Sequence, residues 1–395
     1  MKLLMVDMAS TTLPYDGNLV KGMLDNSKLQ IYLAIHSNSN ISINLENLKI
    51  IKVYKLSSLF AKLTNNIYFL RLVKILEHPY VLFSLMLYAF KLRPNVIHVQ
   101  WTQFPLIDGL LYKVLKNYFP LVFTAHNTTI AHGESGLVAQ IQSAGINRFI
   151  NLFSKIIVHT NKSKETFIKH FNFNPSNVEV IAHGCLSVKK SNEKIKANFL
   201  KKNKIYASKE TIVFFGNINQ YKGLDTLLNA FARLSNHQKN KVRLLVLGKP
   251  REPMEHYFNI SKIHNLESLI TWDLRFIPEN MLDVVFNAAT IFVLPYRHID
   301  QSGVLMSILK YGKPIIASDA DGFSEILTHN DNALIFPVDD DIKLSEMLIE
   351  LIEDQKKKYR IGSSVYSLYK NWPNKKIIGE LHEKVYTELS NIMFK

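Results

Sequence analysis

Cysteine is nearly absent from this chain. Cys185 stands alone among 395 residues, which excludes an intramolecular disulfide and fits a reducing compartment. No cysteine or histidine cluster has the spacing of a zinc site. Acidic residues are scarce as well: 33 Asp and Glu stand against 48 Lys and Arg, a formal net charge of +15. Long apolar runs are missing. The longest lies near 80–90, shorter than a bilayer-crossing helix requires. The opening Met1–Ser10 is too short an apolar stretch for a signal peptide and reads as a first strand. No aromatic-basic motif accompanies the positive charge, so nucleic acid is not the expected partner.

What is present describes a folded globular chain. Hydrophobic residues make up 47% and charged residues 21%, and the length exceeds one ordinary core, so two domains are expected. The basic excess leaves three readings open: an anionic small substrate, an anionic membrane face, or simply lysine-rich codon usage. Between Leu56 and Leu92, Lys62, Arg71, Lys74 and Lys91 alternate with Phe60, Tyr68, Phe69, Tyr80, Phe83 and Tyr88. At helical spacing this is either a basic amphipathic face on an anionic membrane or ordinary helices covering a sheet.

The most informative stretch runs from Thr211 to Phe231. Thr-Ile-Val-Phe-Phe is a short β-branched and aromatic run, the pattern of a strand buried on both faces. Gly216 ends it, and Lys222-Gly223 leads into a helix with apolar Leu224, Leu227, Leu228 and Phe231. In an open α/β sheet, ligands sit beyond the carboxyl end of such a strand. A glycine there admits phosphate oxygens to the backbone, and a lysine supplies a compact counter-charge.

Strand and helix patterns alternate along the whole chain, which predicts parallel sheets with right-handed crossovers. Strands are expected at 3–6, 29–35, 48–53, 95–99, 121–124, 156–159 and 178–181. A second series falls at 211–215, 242–247, 269–272, 291–294, 315–318 and 333–336. A helix from about Asn18 follows the loop Asp7–Gly17, which puts Gly17 at a helix start. Ser187–Ala207, dense in lysine and asparagine, reads as the link between two Rossmann-like domains. Strand ends carry the candidate chemistry: Gln100-Trp101, His126 with His132 and Glu134 behind it, Tyr296, and Ser302-Gly303 at a helix start, whose free N–H groups suit a diphosphate. Asp319-Ala320-Asp321 follows a strand and reads as a loop, so no metal is expected.

The segments FFGNINQYKGLD, FIPENML and VLPYRHIDQSGVLMSILKYGKPIIASDADGFSEIL resemble the carboxyl-terminal half of a GT-B glycosyltransferase of family four. IHVQW, TAHNTTIAHGE and VIAHG resemble the amino-terminal, acceptor half, so the resemblance covers essentially the whole chain. It implies an α/β fold of two Rossmann-like doubly wound domains facing across a cleft. Those domains would be 1–190, with a last helix in 373–395 crossing back to it, and 205–370. The implied activity is transfer of a sugar from a nucleotide diphosphate sugar, with retention and without a metal or other cofactor. The implied acceptor is a saccharide or lipid-linked saccharide in surface polysaccharide or glycolipid synthesis. The setting would be the cytoplasm or, peripherally, the inner face of the plasma membrane.

Carried onto matching positions, the resemblance makes His126 and Lys222 catalytic: Lys222 grips the diphosphate and His126 lies beside the donor sugar. Donor contacts fall to Gly17, Gly216, Asn217, Asn219, Ile277, Pro278, Tyr296, Asp300, Ser302, Gly303, Val304 and Ser307, with Ile277 beside the base and Gly303-Val304 donating N–H groups. Trp101, His132 and Glu134 are the acceptor candidates. The chain departs from the family where an arginine usually precedes the lysine, offering Asn217 and Asn219. It also has Ile299 and Ser307, with Asp300 nearby, where a glutamate pair usually flanks the Gly303 turn. These departures keep two alternatives open: a non-catalytic nucleotide-binding subunit, and another GT-B enzyme such as a sugar-nucleotide epimerase or a phosphorylase.

Overall fold

A computed structural model describes all residues except 26–28, 40–44, 65, 129–143, 204, 206–208 and 394–395. The chain divides into two compact units, Met1–Gly184 together with Pro373–Lys395, and Cys185–Trp372.

The first unit is built on β1 (Lys2–Asp7), β2 (Gln30–His36), β3 (Leu48–Val53), β4 (Val96–Val99), β5 (Leu121–Thr124), β6 (Lys155–Val158) and β7 (Val178–Val180). All pairs are parallel, in the order β3-β2-β1-β4-β5-β6-β7. Alternation along β1 sends Leu3 and Met5 into the core on one face and Leu4 and Val6 into the core on the other. Burial on both faces is why these strands read as unbroken apolar runs. The C-terminal helix Lys375–Met393 packs across the helix Leu13–Leu24 within this unit. They cross at two glycines: a Cβ on Gly22 would meet the Lys375 carbonyl oxygen at 1.8 Å, and one on Gly379 would meet Gly22 backbone at 2.5 Å. Any side chain at either position would push the helices apart.

The second unit repeats the plan with β8 (Glu210–Phe215), β9 (Val242–Leu247), β10 (Ile270–Asp273), β11 (Ile291–Leu294), β12 (Ile315–Ser318) and β13 (Leu334–Phe336). Its order is β10-β9-β8-β11-β12-β13, again all parallel. In each unit the strand order reverses once, between β1 and β4 and between β8 and β11. The carboxyl ends of those strands are where a doubly wound sheet opens a crevice.

Three expectations change. The first helix begins at Leu13, not near Asn18, because the Asp7 carboxylate accepts the N–H groups of Thr11 (3.1 Å) and Thr12 (3.0 Å) and Pro14 fits the first turn. Gly17 therefore lies inside the helix and cannot serve as its phosphate-facing start. The supposed link Ser187–Ala207 contains the helix Glu193–Lys202, whose Phe199 is buried in the core of the second unit. The apolar run near 80–90 is part of a 26-residue helix, Ile67–Leu92, long and apolar enough by length and composition to cross a membrane.

Candidate functional site

In the second unit the loops after β8 and β11 meet at the point where strand order reverses. Gly216, at φ 117°, closes β8, and a Cβ there would lie 2.6 Å from Lys222 Nζ and 3.3 Å from Val304 Cγ2. The bare glycine is what lets the ammonium lie against the backbone. Lys222 is buried at 6% exposure. Its Nζ lies 3.1 Å from the Tyr296 hydroxyl and 4.6 Å from the centre of that ring. Among the described residues no carboxylate pairs with it. Burial therefore lowers the Lys222 pKa, with Tyr221 acting in the opposite sense. A buried cation held by a phenol and a π-face gains most from an anion.

Ser302 completes this corner. Its hydroxyl accepts the Leu305 N–H at 3.1 Å and caps the turn Gly303–Ile308. Ser307 donates back to the Gly303 carbonyl at 2.6 Å. Arg297 ties the two loops together: Nη2 donates to Asp225 at 2.7 Å, Nε to Asp339 at 3.0 Å, and Nη1 to the Gln220 carbonyl. Next to Ser302, Gln301 has both amide atoms buried with no hydrogen-bond partner among the described residues. A polar group left so is costly unless something else satisfies it.

In the first unit the carboxyl ends of β4 to β7 converge on a histidine cluster. His126 Nδ1 lies 3.2 Å from His159 Nε2, and His126 Nε2 lies 3.2 Å from the Gln100 amide oxygen. His159 Nδ1 donates to the Ile181 carbonyl at 2.9 Å, and His183 Nδ1 to the Gly184 carbonyl at 2.8 Å. Tyr15 stands among them, its ring centre 4.9 Å from those of His126 and His183. The C-terminal helix adds His382, 3.2 Å from the Tyr15 hydroxyl, and Tyr386, 2.6 Å from His98. Burial lowers the pKa of every one of these histidines, His159 and His382 to about 4 and His183 to about 3. The rings are therefore neutral near pH 7.

Neutrality sets the tautomers. The Ile181 carbonyl only accepts, so His159 carries its proton on Nδ1 and offers a lone pair at Nε2. His126 must then donate from Nδ1, which leaves its own Nε2 as an acceptor. Three contacts run from the Gln100 oxygen to the Ile181 oxygen, and two neutral rings supply only two protons. A half-turn of the Gln100 amide provides the third. Both ring nitrogens of His126 are then engaged, Nδ1 donating to His159 and Nε2 accepting from the Gln100 amide. Among the described residues no group of three or more His, Cys, Asp or Glu is placed to hold a metal ion.

Comparison with known proteins agrees with this layout. The family described as "Glycosyl transferases group 1" matches residues 195–367, and "Glycosyltransferase Family 4" matches residues 64–185. The chain belongs to the GT-B glycosyltransferases of family four. It is 23% identical over 286 residues to D-inositol 3-phosphate glycosyltransferase of Corynebacterium diphtheriae, covering 69% of this chain and 65% of that protein. It is 25% identical over 248 residues to 2-deoxystreptamine N-acetyl-D-glucosaminyltransferase of Niallia circulans, covering 60% of this chain and 61% of that one. The match thus spans less than two thirds of either relative. Among solved structures, Anabaena HepE in complex with UDP and glucose aligns over 98% of this chain and all of its own, at TM-score 0.74 and 16% identity. Sucrose-phosphate synthase from Thermosynechococcus elongatus aligns over 98% of this chain and 99% of its own, at TM-score 0.73 and 15% identity.

Within this GT-B chain the structure gathers Gly216, Lys222, Tyr296, Ser302 and Val304 at one corner. Asn217 is exposed, and Asn219 hydrogen-bonds Tyr221. Ile277 is committed to the core of the second unit, so its side chain is not free to face a base. The neighbouring exposed group is Phe276, and Pro278 precedes the helix Glu279–Ala288. The Asp300 backbone crowds Gly322. Trp101 is half-buried after β4. His132 and Glu134 lie outside the described residues. Sequence reasoning missed Gln301, although it sits between two nominated residues. It also missed His159 and Tyr15, whose relation to His126 exists only in the folded sheet.

Proposed function

We propose that this chain is an active glycosyltransferase that moves a sugar from a nucleotide diphosphate sugar to a saccharide or lipid-linked saccharide, with retention and without a resident metal. The observation that carries the reading is the buried Lys222 ammonium, which no carboxylate among the described residues pairs, where the strand order of the second unit reverses. A diphosphate leaving group supplies the missing charge, and fixed donors that meet charge as it develops lower the barrier. N–H groups at the Gly303 turn add donors. In the first unit a sugar hydroxyl displaces the Gln100 amide and donates to His126 Nε2. The names of the relatives support this class: one bears a glycolipid mannosyltransferase name with GDP-mannose as donor, and HepE was solved with UDP-glucose. A role in surface polysaccharide or glycolipid synthesis on the cytoplasmic side of a membrane follows from that acceptor class.

The test is a thermal-shift screen of nucleotide diphosphate sugars, followed by turnover assays on those that raise stability. The reading requires a stabilising donor and release of its nucleoside diphosphate in the presence of an acceptor. Stabilisation with no turnover on any acceptor would instead favour a nucleotide-binding subunit.

A further inference from the structure

We propose that the first unit carries a docking surface for an anionic lipid bilayer, made by the outer faces of the helices Lys55–Phe60, Ile67–Leu92 and Pro105–Leu115. This deepens the proposed work on a lipid-linked acceptor and rests on that reading only for its purpose.

The surface is apolar to a degree that water does not favour. Along Ile67–Leu92, the exposed Tyr68, Leu72, Ile75, Tyr80, Phe83 and Leu87 recur every three to five residues and form one stripe. Leu76, at 72% exposure, lies within it. Phe60 packs edge-on to Phe69 at 5.5 Å and joins the stripe to the first helix, which exposes Leu56 and Leu59. At the other end Phe90 meets Tyr118 at 5.1 Å, beside a pocket of about 470 Å³ that Arg93 also lines. The third helix adds Leu106, Leu110 and Val114. Isolated exposed apolar side chains are ordinary; a joined face of this size marks a binding surface.

Charge selects the occupant. From Lys55 to Tyr118, Lys55, Lys62, Arg71, Lys91, Arg93, Lys113 and Lys116 are exposed. The only acids in that span, Glu77 and Asp108, are buried and engaged. A face that is apolar at its centre, and whose exposed charges are all positive, matches the acyl boundary and headgroups of an anionic bilayer.

The same helix has the length and composition to cross a bilayer, yet its middle is fastened to the unit by polar groups. Glu77 accepts the N–H groups of Leu56 at 2.7 Å and Ser57 at 2.8 Å. His78 is 2.6 Å from Asp108 and also hydrogen-bonds Tyr54. On that side Val81, Leu82, Leu85 and Ala89 belong to the core. Crossing would break these bonds and place Glu77 and His78 in hydrocarbon, where unsatisfied polar groups are costly. The helix therefore lies in the plane of the interface.

Vesicle flotation of the full chain, with neither donor nor acceptor present, tests this apart from sugar transfer. Binding to phosphatidylglycerol–phosphatidylcholine vesicles, weak binding to pure phosphatidylcholine, loss at high salt and release by alkaline carbonate are expected. Leu76→Glu and Phe83→Glu should each reduce the bound fraction about tenfold or more, with the circular dichroism spectrum unchanged because both side chains are exposed. Ile263→Glu, an exposed apolar position in the second unit, is the control that keeps binding. Three outcomes overturn the proposal: no flotation with anionic vesicles at low salt; retention through carbonate, which means the helix crosses; or a dimer that Leu76→Glu dissociates in a chain that ignores vesicles, which means a second copy covers the face.

Discussion

Lys222 Nζ sits 3.1 Å from the Tyr296 hydroxyl and 4.6 Å from the centre of its ring, so one tyrosine holds a buried ammonium in two ways at once. The pairing fixes the cation without neutralising it, which keeps its charge available. Tyr296→Phe removes only the hydroxyl contact. Turnover should fall about fivefold, the worth of one ordinary hydrogen bond. Tyr296→Leu also removes the π-face and should cost distinctly more. Equal rates for the two variants in steady-state kinetics would show that the ring does not hold the lysine.

Gln301 gives a prediction of opposite sign for stability and binding. Among the described residues its amide has no hydrogen-bond partner, so Gln301→Ala should leave the ligand-free protein within about 1 kcal/mol of the parent, or more stable. Donor affinity should fall about tenfold if that amide meets the donor. Calorimetric titration alongside denaturant unfolding reads both. Unchanged affinity with a large loss of stability would make Gln301 structural.

The chain Ile181–His159–His126 specifies where protons reside. Nitrogen-15 NMR of histidine-labelled protein near pH 7 should find His126 and His159 both as Nδ1–H tautomers. His159→Gln retains an acceptor for His126 and should preserve that tautomer and the KM for the donor. His159→Leu should release His126 into mixed tautomers and raise KM more than it lowers kcat. An Nε2–H tautomer of His126 in the parent protein contradicts the assignment.

The same cluster makes stability depend on pH. His159 and His382 stay neutral in the folded chain down to about 4, and His183 to about 3, because burial opposes their charging. In the unfolded chain they take up protons near 6.5. Between those values the unfolded state binds more protons, so stability is full above about pH 6.5 and falls as pH drops toward 4. Each ring contributes roughly 3 kcal/mol over that window. Scanning calorimetry from about pH 7 to 4.5 should show a steep fall in Tm, less steep in His159→Gln/His382→Gln. A flat profile contradicts the burial of these rings as neutral groups.

Much of the fold was legible because parallel strands buried on both faces leave short apolar runs that end in glycine, proline or polar residues. β3, β5, β9, β11 and β12 match the expected bounds to the residue. The first helix was misplaced because Pro14 and Gly17 look like loop residues in sequence, whereas proline suits a first helical turn and the bonds from Thr11 and Thr12 to the Asp7 carboxylate span the loop. Strand-turn-helix order put Lys222 and the Gly303 turn at strand ends, and the family resemblance supplied their roles. Tyr15 and His159 were not legible as site residues: one comes from the first helix and the other from the end of β6, and only the folded sheet brings them to His126. For the stretch from Leu56 to Leu92 the sequence left an amphipathic membrane face and helices covering a sheet both open, because the contacts of Glu77 with Leu56 and Ser57, and of His78 with Asp108, exist only in the fold.

The central claim is that the second unit neutralises a diphosphate through Lys222. Isothermal titration of the parent protein and Lys222→Ala with a panel of nucleoside diphosphates tests it most directly, with circular dichroism confirming that the variant folds. Binding by the parent and a loss of about 10²-fold or more in the variant is the predicted result. Equal affinity in the two proteins, or no nucleoside diphosphate bound by either, would contradict the account.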